Sequence, residues 1–166
     1  LAKGHEVSGS DLASSEITDF LKDKGIGVAI GNYPEYIKKD FDLVVYSPAV
    51  PKDNPELKKA LDLDVETKSY PEALGELTRD HFTVAVSGSH GKSTTTAMIG
   101  LVLAKAGLDP TVIVGTKLKE FGGSNFRIGG SNFLVIEACE YDDSFINYRP
   151  KIIVVTNIDK EHLDYF

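Results

Sequence analysis

Val84-Ala85-Val86-Ser87-Gly88-Ser89-His90-Gly91-Lys92-Ser93-Thr94-Thr95 is the stretch from which the fold is read. An aliphatic strand over 82–87 runs into a glycine-rich turn. From about Ser93 a helix continues to Ala106, where Gly107 ends it. This junction turns several backbone N–H groups and a helix N-terminus toward one point, where a polyphosphate can be held. Lys92 adds a mobile positive charge for the terminal phosphates, and Ser93 offers a hydroxyl to Mg²⁺. The general phosphate-loop pattern asks for glycine where this chain has Val86, so the match is to Gly-Lys-Ser in its strand-turn-helix setting. A tight turn that merely contains these three residues is the plainer alternative.

Downstream, Thr111 to Val114, Phe133 to Glu137 and Ile152 to Thr156 read as further strands. The last two are nearly all aliphatic and are therefore expected at the centre of a sheet. Residues 115–132, with five glycines, read as a mobile loop or a hairpin. Glu137 closes one strand in Val135-Ile136-Glu137-Ala138-Cys139-Glu140, at the strand end where open α/β sheets gather their ligands. A carboxylate there can ligate Mg²⁺ directly or through water, with Glu140 as a second acid; the alternative is a solvated strand-end glutamate. His162 follows the other aliphatic strand in Thr156-Asn157-Ile158-Asp159-Lys160-Glu161-His162-Leu163-Asp164. Its neutral imidazole can ligate a metal or meet phosphate, or it is an ordinary surface histidine.

Upstream, strand-like and helix-like stretches also alternate, as in a parallel sheet covered by helices, so the whole chain is expected to be α/β. Glu6 to Ser10 is a short strand. Ser14 or Ser15 caps a helix carrying Ile17, Phe20 and Leu21 on one face, and Gly25 stops it before a strand over 26–30. Leu43 to Tyr46 is a continuous apolar run that suits a fully buried parallel strand. Asn54 caps a helix with Pro55 at its first position, and Pro71 opens another with Ala73, Leu74 and Leu77 on one side. The charged residues Arg79-Asp80-His81 mark the expected domain boundary, giving domains at 1–80 and 81–166.

Composition narrows the function. The 166 residues carry 18 Lys and Arg against 25 Asp and Glu, for a net charge of −7, with no basic stripe interleaved with aromatics, which argues against a nucleic-acid partner. The longest uncharged apolar run, Ala97 to Ala104, falls well short of the roughly 20 residues of a membrane-spanning helix, so no membrane partner is expected. One cysteine, Cys139, makes no internal disulfide, and a reducing cytoplasm is the expected setting. Leu1 to His5 reads as the last turn of a helix and Phe166 follows no closing element, so the chain is expected to be part of a longer polypeptide.

Taken together, 88–95, 137–142 and 156–164 closely resemble the Mur ligases of peptidoglycan synthesis, and within them the alanine-adding branch. The resemblance extends to His5-Glu6-Val7-Ser8-Gly9-Ser10-Asp11, Tyr46-Ser47-Pro48-Ala49-Val50 and Asp53-Asn54-Pro55-Glu56-Leu57, and so covers essentially the whole chain. It implies a Rossmann-like parallel-sheet domain for the UDP-sugar, followed by part of a P-loop-containing α/β domain for ATP. A glycine loop upstream and a third domain downstream are implied too, so that the chain alone would be inactive. Lys92 and the stretch Gly88, Ser89, His90, Gly91, Lys92, Ser93, Thr94 would hold the ATP phosphates, with Ser93 and Glu137 on one Mg²⁺ and His162 near a second. Asp11 would face the ribose, Ser47 and Ala49 would line the nucleotide groove, and Gly115 and Thr116 would approach the lactyl carboxylate. The implied reaction is phosphorylation of that carboxylate of UDP-N-acetylmuramate by ATP, followed by attack of the L-alanine amine on the acyl phosphate. The murein tripeptide recycling ligase of the same family and a non-catalytic nucleotide-binding fragment are the alternatives. An unrelated P-loop phosphotransferase would want a strand-end Asp where this chain has Glu137 and Thr156-Asn157.

Overall fold

The computed structural model describes residue 1, residues 4–139 and residues 141–159. By its internal contacts the chain divides into two units, Leu1–Tyr70 and Pro71–Phe166. In the first, β1 (Ser8–Asp11), α1 (Glu16–Asp23) and β2 (Gly27–Ile30) form a β-α-β turn. Ser15 starts α1 because its extended backbone lets its hydroxyl accept from Thr18 N at 3.3 Å, while Thr18 Oγ1 accepts from Ser15 N at 2.8 Å. Gly25, at φ +83°, ends it, and the chain returns to pair β2 with β1 in parallel, Ser8 opposite Gly27 through Asp11 opposite Ile30.

Next come β3 (Val44–Tyr46), α2 (Pro55–Asp62) and β4 (Thr67–Ser69). Asn54 caps α2 as its composition predicts, its Oδ1 accepting from Glu56 N at 2.9 Å and Leu57 N at 3.1 Å. β4 pairs in parallel with β3, Val44 opposite Thr67 to Tyr46 opposite Ser69. The expectation that Leu43 to Tyr46 is buried on both faces is corrected: Leu43 is 41% and Val45 48% exposed. Among the described residues β3 has one strand partner, and burial in this part of the unit concentrates on Leu57, Ala60 and Val65.

The second unit contains the bulk of α3 (Tyr70–Asp80), then β5 (Phe82–Ser87), α4 (Lys92–Lys105), β6 (Thr111–Leu118), β7 (Ser124–Arg127), β8 (Phe133–Glu137) and β9 (Ile152–Val155). The strand order is β7-β6-β8-β5-β9, all parallel except β7, which forms a hairpin with β6. Alternation along the strands sorts the core. Val84, Val112 and Val135 meet Ile99 and Leu103 of α4 on one face, while Ala85, Leu134 and Ile136 meet Leu74 and Leu77 of α3 and Tyr148 on the other. Gly100 lets α4 lie close on β6, since a Cβ there would come within 2.8 Å of Val112.

Two expectations are refined here. Residues 115–132 form a hairpin, with Gly122 and Gly123 at positive φ in its turn. The aliphatic strand Ile152–Val155 is at the sheet margin among the described residues, where Ile153 is 66% exposed; of the two aliphatic strands only β8 is central. A run of aliphatics reports a demand for burial and not a place in the strand order. No helix among the described residues is long and apolar enough to cross a membrane.

Candidate phosphate-binding site

The parallel register brings the C-terminal ends of three strands to one edge: Val86 pairs with Glu137, and Ser87 with Val155. The turn after β5 leaves from the middle of that edge. Gly88 has φ +124°, and a Cβ on it would overlap Thr156 Oγ1 and lie 2.7 Å from Asn157 O, so both conformation and space demand glycine. Gly91, at φ +81°, is the N-cap of α4 and offers no side-chain cap. The first turn of α4 therefore points N–H groups without intrahelical acceptors at the cavity before it. That cavity has a volume of about 340 Å³ and is lined by Ser89, His90, Gly91, Lys92, Ser93 and Thr94.

Lys92 folds back over the turn, its Nζ donating to Gly88 O at 2.6 Å and Ser89 O at 3.2 Å. The ammonium thus sits at the loop with two carbonyls that a phosphate oxygen can outbid electrostatically. Glu137 lies on the α4 side of the sheet by strand alternation, and its Oε1 accepts from Gly115 N at 2.6 Å. A Cβ on Gly115 would meet Glu137 Oε2 at 2.9 Å, so the glycine also clears room for the carboxylate. Thr116 follows on β6 and is exposed.

The segment after β9 braces the loop. Thr156 Oγ1 approaches His90 O at 2.6 Å and Ser87 O at 3.2 Å, Asn157 Nδ2 donates to His90 O at 2.9 Å, and Asn157 Oδ1 accepts from His90 N at 2.9 Å. Ser89 N donates to Asn157 O at 3.2 Å, Ser89 Oγ donates to Asp159 O at 3.0 Å, and Asp159 N approaches Ser89 Oγ at 2.8 Å. In the sequence Thr156, Asn157 and Asp159 stand in the motif around His162, with Thr156-Asn157 as a strand end, and carry no role in the loop. Their signal was a polar Thr-Asn pair at the end of an aliphatic strand. His162 and Glu140 lie outside the described residues.

In the first unit, Asp11 ends β1 and its Oδ1 accepts from Ala13 N at 3.1 Å, while Ser47 Oγ, just past β3, accepts from Ala49 N at 3.2 Å. Both turns follow C-terminal strand ends. Glu56, assigned no role from sequence, accepts from Tyr33 N at 2.7 Å and from Ser10 Oγ, tying α2 to the ends of β1 and β2.

The hydroxyl of Ser93 and the carboxylate of Glu137 are hard oxygen donors of the kind Mg²⁺ takes together with phosphate and water. Among the described residues no three His, Cys, Asp or Glu cluster into an all-protein cage. A helix N-terminus, a lysine and a strand-end carboxylate suit a metal that arrives with a polyphosphate.

The family model described as "Mur ligase family, catalytic domain" matches residues 1–82, and the "Mur ligase middle domain" matches 86–166. A UDP-N-acetylmuramate--L-alanine ligase of Caldicellulosiruptor saccharolyticus is 54% identical over 98% of this chain and 36% of the relative; that of Clostridium kluyveri is 49% identical over 100% and 36%. The chain thus spans about a third of the length of these curated relatives. Among solved structures, the UDP-N-acetylmuramate:L-alanyl-gamma-D-glutamyl-meso-diaminopimelate ligase from Neisseria meningitides superposes with TM-score 0.84 at 29% identity, covering 99% of this chain and 56% of that one. The UDP-N-acetylmuramate-alanine ligase from Thermotoga maritima does so at 0.82 and 30%, covering 99% and 38%.

Proposed function

Because this chain belongs to the Mur ligase family, we propose that it supplies the sugar-nucleotide and ATP-phosphate half-sites of an ATP-dependent ligase. The ligase joins L-alanine to the lactyl carboxylate of UDP-N-acetylmuramate in the cytoplasm. The first unit takes the UDP-sugar through Asp11, Ser47 and Ala49, and the second, which includes α3 from Pro71 on, takes ATP. The observation that carries the reading is the strand-turn-helix at 82–105, with Lys92 Nζ at the loop and a cavity of about 340 Å³ before the helix. The curated relatives at 54% and 49% identity both carry the alanine-ligase name, which favours alanine as the amine, whereas the solved alanine and tripeptide ligases, at 30% and 29%, do not separate the two.

The reaction joins two anions. A lactyl carboxylate oxygen forms a bond to the γ-phosphorus and ADP leaves; the alanine nitrogen then bonds to the acyl carbon, phosphate leaves, and the ammonium proton is lost. Lys92 and the first-turn amides of α4 offset the repulsion at the phosphates and hold the transferring group in place. Ser93 and Glu137 would hold Mg²⁺, with His162 at a second site; the ion supplies charge neutralisation on the phosphate oxygens. Gly115 and Thr116 would present main-chain groups to the lactyl carboxylate.

Calorimetric titration of the chain with Mg·ATP and, separately, with UDP-N-acetylmuramate tests this. Both should bind saturably, and Lys92→Ala should weaken Mg·ATP by about 10- to 100-fold, the worth of a charged hydrogen bond, while leaving the sugar nucleotide unaffected. A chain that binds Mg·ATP but ignores the sugar nucleotide is no ligase of this kind. Binding of the sugar nucleotide with no sensitivity of ATP to Lys92 would mean that the loop has been misread.

A further inference from the structure

A peptide unit points its C=O and the next residue's N–H in opposite directions, so whatever grips a loop carbonyl also aims the following amide. The His90 carbonyl is the most heavily gripped in the loop: Thr156 Oγ1 lies 2.6 Å from it and Asn157 Nδ2 2.9 Å. The same Asn157 side chain accepts from His90 N at 2.9 Å, and its own carbonyl accepts from Ser89 N at 3.2 Å. One amide side chain therefore reads both polar groups of a single loop residue, as a paired strand would.

We propose that Asn157 is a positioning residue for the phosphate loop: by holding His90 C=O on the β9 side of the turn, it aims the Gly91 N–H into the cavity where phosphate oxygens bind. Gly91, which lines the cavity, then reaches φ +81° and hands the chain to α4. Gly88 belongs to the same device, since any side chain on it would drive Thr156 and Asn157 away. Lys92 completes it from the other side by holding Gly88 O and Ser89 O. Glutamine would overreach this short span, and aspartate would set a carboxylate oxygen against the His90 carbonyl. Asparagine pairs a donor and an acceptor at the required reach.

This rests on the loop's being an ATP-phosphate site, and the test separates the two claims. In the full chain, Asn157→Leu keeps the branched shape and removes the side-chain bonds. Mg·ATP affinity should fall about tenfold or more, the worth of one misaimed amide-to-phosphate hydrogen bond. The ¹⁵N–¹H spectrum gives the direct readout: on adding Mg·ATP the Gly91 amide should move downfield in the parent and stay put in the variant, with circular dichroism showing both folded at the temperature of the titration. Should Asn157→Leu fail to fold, Asn157→Ala removes the same bonds without bulk and carries the test. Unchanged affinity and an unchanged Gly91 response in a folded variant overturn the positioning role and leave the ATP reading standing. A parent that does not bind Mg·ATP overturns both.

Discussion

Glu137 and Gly115 meet at a distance that leaves no room for a methyl group. The carboxylate takes a 2.6 Å hydrogen bond from the Gly115 amide, and a Cβ would stand 2.9 Å from its other oxygen. Gly115→Ala should therefore swing the carboxylate off its strand-end position. If Glu137 is a Mg²⁺ ligand, the Mg²⁺ concentration that half-saturates ATP binding should rise about tenfold, near the low end for a charged hydrogen bond. An unchanged Mg²⁺ curve in a folded variant would remove Glu137 from the ligand set. The same contact shows why sequence could name Glu137 but not what holds it. A strand-end glutamate is visible in the local pattern, whereas its partner lies 22 residues away on a strand whose register only the fold supplies.

Among the elements, the β6–β7 hairpin is stapled at the sheet edge opposite the candidate site. Asp109, at φ +41°, accepts from Gly130 N at 2.6 Å and pairs with Arg127 Nη2 at 2.5 Å, while Arg127 Nη1 donates to Pro110 O at 2.5 Å. The Gly130 amide first, and then Arg127, hold the Asp109 carboxyl below the usual aspartate range. The unfolded chain binds its proton more readily than the folded one. The stabilisation is thus fully present above the ordinary aspartate value of about 3.9 and is lost as pH falls through the lower folded value. Amide exchange in β6 and β7, measured from pH 6 downward at corrected intrinsic rates, should lose protection on that acid limb. Asp109→Asn, whose side chain tolerates the left-handed backbone, should flatten the limb; an unaltered profile would show that the staple does not titrate.

Helices were the most legible elements because their signals are local. Ser15, Asn54 and Gly25 do at each terminus what their side chains, or the lack of one, dictate. Strands were less so. β4 is Thr-Lys-Ser, too short and polar to announce itself, and exists as a strand because β3 lies beside it. The marginal place of β9 was hidden for the same reason, as was the grip of Asn157 on a loop 67 residues earlier.

Across the whole molecule, two units each gather polar turns at the C-terminal ends of parallel strands, which is where α/β sheets take ligands. If each holds its own half of the substrate set, UDP-N-acetylmuramate should slow amide exchange in β1–β4 and Mg·ATP in β5–β9, by as much as mass action at the ligand concentration allows. Protection by Mg·ATP confined to the first unit would reverse the assignment of the halves. The outer side of β9 bears on handling the molecule. Ile152, Ile153 and Val155 are 46%, 66% and 54% exposed on a strand that, among the described residues, has β5 as its sole ladder partner. A backbone row flanked by aliphatics and left without a second ladder partner accepts an extended segment. For residues 1–166 handled by themselves, Ile153→Lys should lower any self-association seen by sedimentation, and an unchanged profile would show that β9 takes no part in it.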